Sequence, residues 1–321
     1  MTEAIRAALR TQPFIDCHHH IWEPAHGRHP WLRPDSREPF RYGDTTPLKR
    51  TYLPADYDGD AAGFNVVAHV TMEGEWDPED QVAETAWLAD TLSGHRAYVG
   101  HVARAWLARP DIEVVLAGHG AWPFVKGIRQ KPVTAARPDL VMPGTPGSLS
   151  DPAFRRGYAK LQRFGLHYEL QAPWWHVDEL IDLIMEFPET PVVINHMFTP
   201  VDRSEAGLAG WRRALERAAS APQTTLKVSG MGIAGRRWRL DDHRDVIRFA
   251  IDTFGPDRCM IASNFPVDGL CGDYPTIIDG YLAATADLDP DARNALFHDT
   301  AIRVYRLDVK PLAAPRAQIA C

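Results

Sequence analysis

The chain has few cysteines, no long apolar run and no basic excess, and each shortage closes off a class of protein. Its 321 residues hold four cysteines, Cys17, Cys259, Cys271 and Cys321, without CxxC spacing. They are too few and too scattered for a disulfide framework, which points to a reducing cytoplasm. No apolar stretch approaches the ~20 residues of a membrane span. The opening segment, MTEAIRAALRTQPF, lacks the continuous apolar core of a secretory signal. The formal net charge is −7, whereas a nucleic-acid surface normally carries a basic excess. No basic run marks a membrane-surface patch. No GxGxxG follows an early strand pattern, and GHGAWPF at 118–124 lacks dinucleotide-binding spacing. A small-molecule substrate is the partner these absences leave, with a homo-oligomer open.

What is present is the pattern of one large α/β domain. Hydrophobic residues make up 45%, ordinary for a globular chain long enough to bury a sizeable core. Eight β-branched runs read as strands: PFIDCHH (13–19), VVAHVTME (66–73), RAYVGHVA (96–103), FVKGIRQ (124–130), LHYELQ (166–171), PVVINH (191–196), TTLKVSG (224–230) and RCMIASN (258–264). Helical patterns lie between most of them. Residues 80–92 and 177–187 place apolar side chains at every third or fourth position. Asp151 and Pro152 read as the N-cap and first turn of another helix. Residues 241–255 read as a helix closed by Gly255. Eight strands alternating with helices predict a (β/α)8 TIM barrel over 14–307, with an N-terminal extension at 1–13 and a flexible tail at 308–321. Two long loops interrupt the repeat, at 23–60 and at 131–150, the second with Pro132, Pro138, Pro143 and Pro146. Both follow strand C-termini, where barrel active sites form, and read as pocket walls.

Chemistry concentrates at strand ends. In IDCHHHIW (15–22), strand alternation puts Asp16, His18 and His20 on one face and Cys17 and His19 on the other. Two imidazoles on one face begin a metal site, or stand as a polar patch at a strand end. His196 ends strand 6, and Asn264 ends strand 8 with Asp268 four residues on. A closed barrel pairs strand 8 with strand 1, which brings these groups toward His18 and His20. Arg129 ends strand 4 and reads as a fork for a substrate carboxylate or carbonyl oxygen, or as a rim salt bridge. Glu73 ends strand 2, as a rim acid or as the partner that fixes a histidine tautomer. His101 and Tyr168 are further candidates, and Trp174 and Trp175 suggest a pocket wall.

Six stretches taken together resemble the amidohydrolase superfamily: IDCHHHIW with HPWL (29–32), EGEWDPEDQVAETAWL (73–88), KGIRQ (126–130), INHM (194–197), LKVSGM (226–231) and CMIASNFPVD (259–268). They are similar to the branch that includes sugar-acid lactonases and 2-pyrone-4,6-dicarboxylate lactonase, and they recur in order from residue 15 to about 285. The resemblance implies a barrel that hydrolyses an ester, often a lactone, with His18, His20 and His196 facing its centre. Amide hydrolysis or decarboxylation of an aromatic acid occurs on the same fold, and a non-catalytic binding barrel is the rival from another class. Relatives carry a strand-8 aspartate as base or metal ligand. Here the position is Asn264, whose amide has no basic lone pair at neutral pH. Asp268 is then the expected proton carrier. The implied cofactor is one divalent metal, zinc or manganese, on His18, His20 and His196, or none, since some lactonases of the branch work without metal; Glu169, the only carboxylate near the end of strand 5, is a further candidate ligand by position.

Overall fold

The computed structural model describes residues 3–95 and 97–309. The start of the third strand reading, Arg96, and most of the tail at 308–321 lie outside these residues. Eight parallel strands follow one another in chain order: β1 Phe14–His19, β2 Val66–Met72, β3 Tyr98–Arg104, β4 Val125–Arg129, β5 His167–Leu170, β6 Val192–Ile194, β7 Thr224–Val228 and β8 Cys259–Ile261. The sheet curls until its edges meet. Asn264 N–H donates to the His18 carbonyl and His20 N–H to the Phe265 carbonyl, both at 2.7 Å. Helices pack outside, as expected for a (β/α)8 barrel of one unit.

The helix signals act locally as their chemistry requires. Asp151 caps Pro152–Tyr158 by accepting from Ala153 N–H at 2.8 Å. Gly255 closes Arg244–Phe254 at φ 79°, a conformation that favours glycine. The N-terminal extension forms a helix, Glu3–Leu9, and Arg10 then grips Asp279 with two hydrogen bonds of 2.7 and 2.8 Å. Among the described residues no helix is long and apolar enough to cross a membrane.

The barrel interior is layered. Ile15, Cys17, Val70, Val102, Val193 and Met260 make an apolar plug. Above it lies a buried ionic layer, and above that the cavity. Gly127 belongs to this packing, because a Cβ there would sit 2.4 Å from the His167 ring. Tyr168 faces the other way. It packs against Phe154 and Tyr158, and its hydroxyl donates to the Gln130 carbonyl at 2.7 Å. The sequence reading of Tyr168 as a substrate contact is therefore corrected: strand parity points it into the helix layer.

Strand β1 departs from simple alternation. The pairing with β2 shifts register between Asp16 and His19, a β-bulge. Asp16 and His19 both turn outward onto Tyr57: the Tyr57 hydroxyl donates to Asp16 at 2.7 Å, and the His19 ring lies 4.4 Å from the Tyr57 ring. Cys17 joins the apolar plug, and His18 and His20 face inward with ring centroids 5.4 Å apart. The expected sharing of one face by Asp16, His18 and His20 is corrected for the aspartate.

Candidate active site

A cavity of about 200 Å³ opens at the C-terminal ends of the strands. Three elements supply its walls. The 23–60 loop brings Trp31, Phe40 and Arg41, anchored by an antiparallel bridge between Trp22 and Tyr52. The end of β2 brings Glu73, Gly74 and Glu75, and β4 brings Arg129 and Lys131. His20, His196 and Asn264 also line it, with Trp22, Gln171 and Val267.

His20 has a defined tautomer. Its Nδ1 lies 3.1 Å from the Glu73 carbonyl oxygen. A carbonyl only accepts, so Nδ1 carries the proton and Nε2 is a bare lone pair. Burial, helped by the Arg129 charge, lowers its pKa to about 3, so the ring is neutral near pH 7. His196 follows β6 in a run of four left-handed residues, His196 to Thr199, with φ between 47° and 57°. That turn swings its ring inward to 4.6 Å from His18, with Nδ1 2.9 Å from Ser229 Oγ. Gly230 makes room, since a Cβ there would lie 2.2 Å from His196 Nδ1. Burial and the Arg41, Arg129 and Lys227 charges keep His196 neutral as well.

Arg129 is the fixed cation of the site. Its Nε donates to Glu73 Oε1 at 2.7 Å, Nη2 to the Glu73 carbonyl at 2.8 Å, and Nη1 to Gln171 Oε1 at 3.2 Å. Burial would raise the Glu73 carboxyl, but Arg129, Arg104 and Lys131 together with the Glu75 N–H outweigh it and hold the group below the usual carboxylate range. Both readings of Glu73 and Arg129 as rim partners are thus realised in one contact.

His18 lies beneath the cavity between two cations. Arg129 Nη1 is 3.4 Å from its Nε2 and Lys227 Nζ is 3.5 Å from its Nδ1. Burial and these charges push its pKa well below the ordinary value. Lys227 was not singled out from sequence. It is fully buried and bound to both Glu169 oxygens, at 2.7 and 2.9 Å. Glu169 also accepts from Tyr305 at 2.6 Å and Asn195 at 2.7 Å. Burial would raise the Glu169 carboxyl, but Lys227 and His167 together override it and lower its pKa to about 2.

These contacts decide how a metal would fit. Both Glu169 oxygens are spent on Lys227, Asn195 and Tyr305, so its expected ligand role is withdrawn. Each His18 nitrogen faces a cationic nitrogen, which repels a second cation. Among the described residues no group of three or more His, Cys, Asp or Glu side chains is arranged to hold an ion. His18, His20 and His196 come together, but their surroundings do not fit a divalent metal.

Asn264, at φ 57°, lines the cavity and donates through Nδ2 to Asp268 Oδ1 at 2.6 Å. Its carbonyl oxygen remains the free polar atom. Asp268 is fully buried behind it, and burial raises its pKa to about 6 against the nearby Arg41. Asp268 does not line the cavity. His101 is buried away from it, its Nδ1 2.9 Å from Thr71 Oγ1. Trp174 and Trp175 also stand apart, which corrects their expected role as walls. Trp174 packs on Gly210, and Trp175 donates to the Ala135 carbonyl at 2.9 Å, pinning the loop after β4.

The sequence profile described as Amidohydrolase matches residues 15–307. The chain belongs to the amidohydrolase family. This amidohydrolase is 34% identical over 293 residues to the uncharacterised protein y4mH of Sinorhizobium fredii, covering 91% of this chain and 98% of that one. It is 26% identical over 313 residues to the L-fucono-1,5-lactonase of Burkholderia ambifaria, covering 95% and 99%. Its fold is similar to a crystal structure of an amidohydrolase from Burkholderia multivorans with bound zinc, at a TM-score of 0.76 and 24% identity, covering 92% and 99%. This amidohydrolase is an enzyme of that superfamily, which acts on small molecules.

Proposed function

We propose that this amidohydrolase hydrolyses a carbonyl ester, and a lactone in preference to open-chain esters. The observation that carries the reading is the convergence of two neutral imidazoles, His20 and His196, with the Arg129 guanidinium on one cavity of about 200 Å³. That volume suits a single ring with short substituents. The lactonase named among the relatives supports the same class.

A water between the two imidazoles gives its proton to the bare Nε2 of His20 as its oxygen bonds to the lactone carbonyl carbon. The Asn264 carbonyl oxygen accepts the water's second hydrogen and orients it. The carbonyl oxygen becomes an oxyanion facing the Arg129 guanidinium, which Glu73 already holds in place. The ring C–O bond then breaks, and the proton on His20 passes to the departing alkoxide to give a hydroxy acid. A resting pKa of about 3 makes His20 a weak base. The oxyanion that forms beside Arg129 offsets the cationic field, so the imidazolium is stabilised when it is needed. His18, beneath the cavity, is not the base, because protonation would place a third positive charge between Arg129 and Lys227. No step passes through a metal.

The test is proton release from a panel of five- and six-membered lactones by wild type, His20→Asn and His196→Asn. The reading expects turnover by wild type and a loss of about a hundredfold or more in each variant. Full activity in His20→Asn would remove the assigned base.

A further inference from the structure

A second cavity of about 450 Å³ adjoins the first and shares Glu73, Glu75, Arg129 and Lys131 with it. Between the two lie the buried Arg129–Glu73 pair and the Lys131–Glu75 pair, whose side chains are each about one-third exposed. Such exposed pairs are weak. Glu75 is also held at φ 60°, an uncommon conformation for a side chain of its size.

The second cavity has its own recognition chemistry. Trp106, 42% exposed, presents an indole to solvent beside it. The Arg104 guanidinium lies 5.4 Å from that ring and donates to the Trp76 carbonyl at 2.8 Å, which fixes its position. Arg109 is on the same wall but is already paired with Asp111 at 2.8 Å. Four cationic side chains line the space against two carboxylates, Glu73 and Glu75. An apolar floor with a surplus of positive charge fits an anion carried on a hydrophobic stem.

We propose that this second cavity is a substrate subsite for a carboxylate-bearing tail, held by Arg104 and the Trp106 face, with Lys131 released from Glu75 to complete the grip. The inference deepens the lactonase reading and rests on it for the identity of the reacting group. It names the substrate class as a lactone with an acidic side arm.

Two measurements separate this inference from that reading. The first compares kinetics on a neutral δ-lactone and on the same ring bearing a carboxymethyl arm, in wild type, Arg104→Gln and Trp106→Ala. The subsite predicts KM for the acidic lactone raised about tenfold in each variant, with kcat and the neutral substrate unchanged within about twofold. Equal effects on both substrates, or none on either, would overturn it. The second needs no turnover. Titration with glutarate, followed by tryptophan emission in wild type and Trp106→Phe, reads the subsite alone. Saturable quenching present in wild type, absent in Trp106→Phe and weakened in Arg104→Gln supports the subsite even if no lactone is hydrolysed. No saturable signal in wild type overturns it. A change of sedimentation coefficient in Trp106→Ala would assign the exposed indole to a subunit contact and also overturn it.

Discussion

Arg129 holds Glu73 at two points, side chain to side chain at 2.7 Å and guanidinium to Glu73 carbonyl at 2.8 Å. The same Glu73 carbonyl fixes the proton on His20 Nδ1. One residue pair therefore fixes both the Arg129 guanidinium and the tautomer of His20, the proposed oxyanion partner and base. Glu73→Leu leaves a buried guanidinium without its carboxylate and should cost about 3–5 kcal/mol of stability. Arg129→Lys keeps the charge but cannot make the fork, so kcat/KM should fall about tenfold or more with the fold intact. Denaturant unfolding and lactone kinetics read the two effects separately.

Lys227 and Glu169 form the ionic layer below the cavity. Lys227→Met should destabilise by about 3–5 kcal/mol, because it leaves the buried Glu169 carboxylate without its cation. The double variant Lys227→Met, Glu169→Gln should recover much of that loss, since no charge is then left buried. Urea unfolding of the two single variants and the double closes the cycle. A double variant no more stable than Lys227→Met would contradict the pairing.

Stability should fall on the acid side of neutrality. Nine histidines have depressed pKa values: His18, His19, His20, His29, His69, His101, His119, His196 and His243. A depressed group stabilises fully above its unfolded pKa, 6.5 for histidine, and that contribution is lost as pH falls toward the folded value, about 3 for His20. Asp16, Glu84 and Asp268 are raised and oppose the trend, because their contribution is lost as pH rises through their folded values. Three cannot balance nine. Each histidine contributes a slope of up to about 1.4 kcal/mol per pH unit. Urea midpoints measured downward from neutral pH should therefore drop steeply below 6.5, and a flat profile there would contradict the buried neutral rings.

Asp268 acts on the cavity through Asn264. Asp268→Asn keeps an acceptor for the Asn264 amide and should retain activity within about threefold, whereas Asp268→Leu should lower kcat about tenfold with KM little changed. If Asp268 carried the proton itself, Asp268→Asn would be as inactive as Asp268→Leu, and the acid limb of the pH profile near 6 would vanish in both.

The fold was legible because barrel strands are short apolar runs with clear punctuation, and all eight strand readings fall on strands. The site was legible where chemistry sits at a strand end: His18, His20, Arg129, Glu73, His196 and Asn264 do converge. Asp16 was misplaced because a bulge does not show in alternation. For Lys227 the strand does carry a signal: Thr225, Lys227 and Ser229 alternate with Leu226 and Val228. A lysine on the inner face of a barrel strand needs a carboxylate, and Glu169 supplies it. Trp174 and Trp175 follow a strand as pocket residues do, yet tertiary packing turned them to Gly210 and Ala135. The HPWL and EGEW motifs proved structural in part. Trp31 donates to the Gly74 carbonyl at 2.8 Å, and Glu84 accepts from Gly74 N–H at 2.6 Å, holding the β2 loop at the cavity.

The most direct test of the account is lactone hydrolysis by wild type after exhaustive chelation, with metal content measured on the same sample. The account predicts activity within about twofold of the untreated enzyme at well under one metal per chain, because His20, His196 and Arg129 supply the base and the oxyanion partner. Activity lost on chelation and restored by stoichiometric zinc or manganese would contradict it, and would return His18, His20 and His196 to the role of ligands.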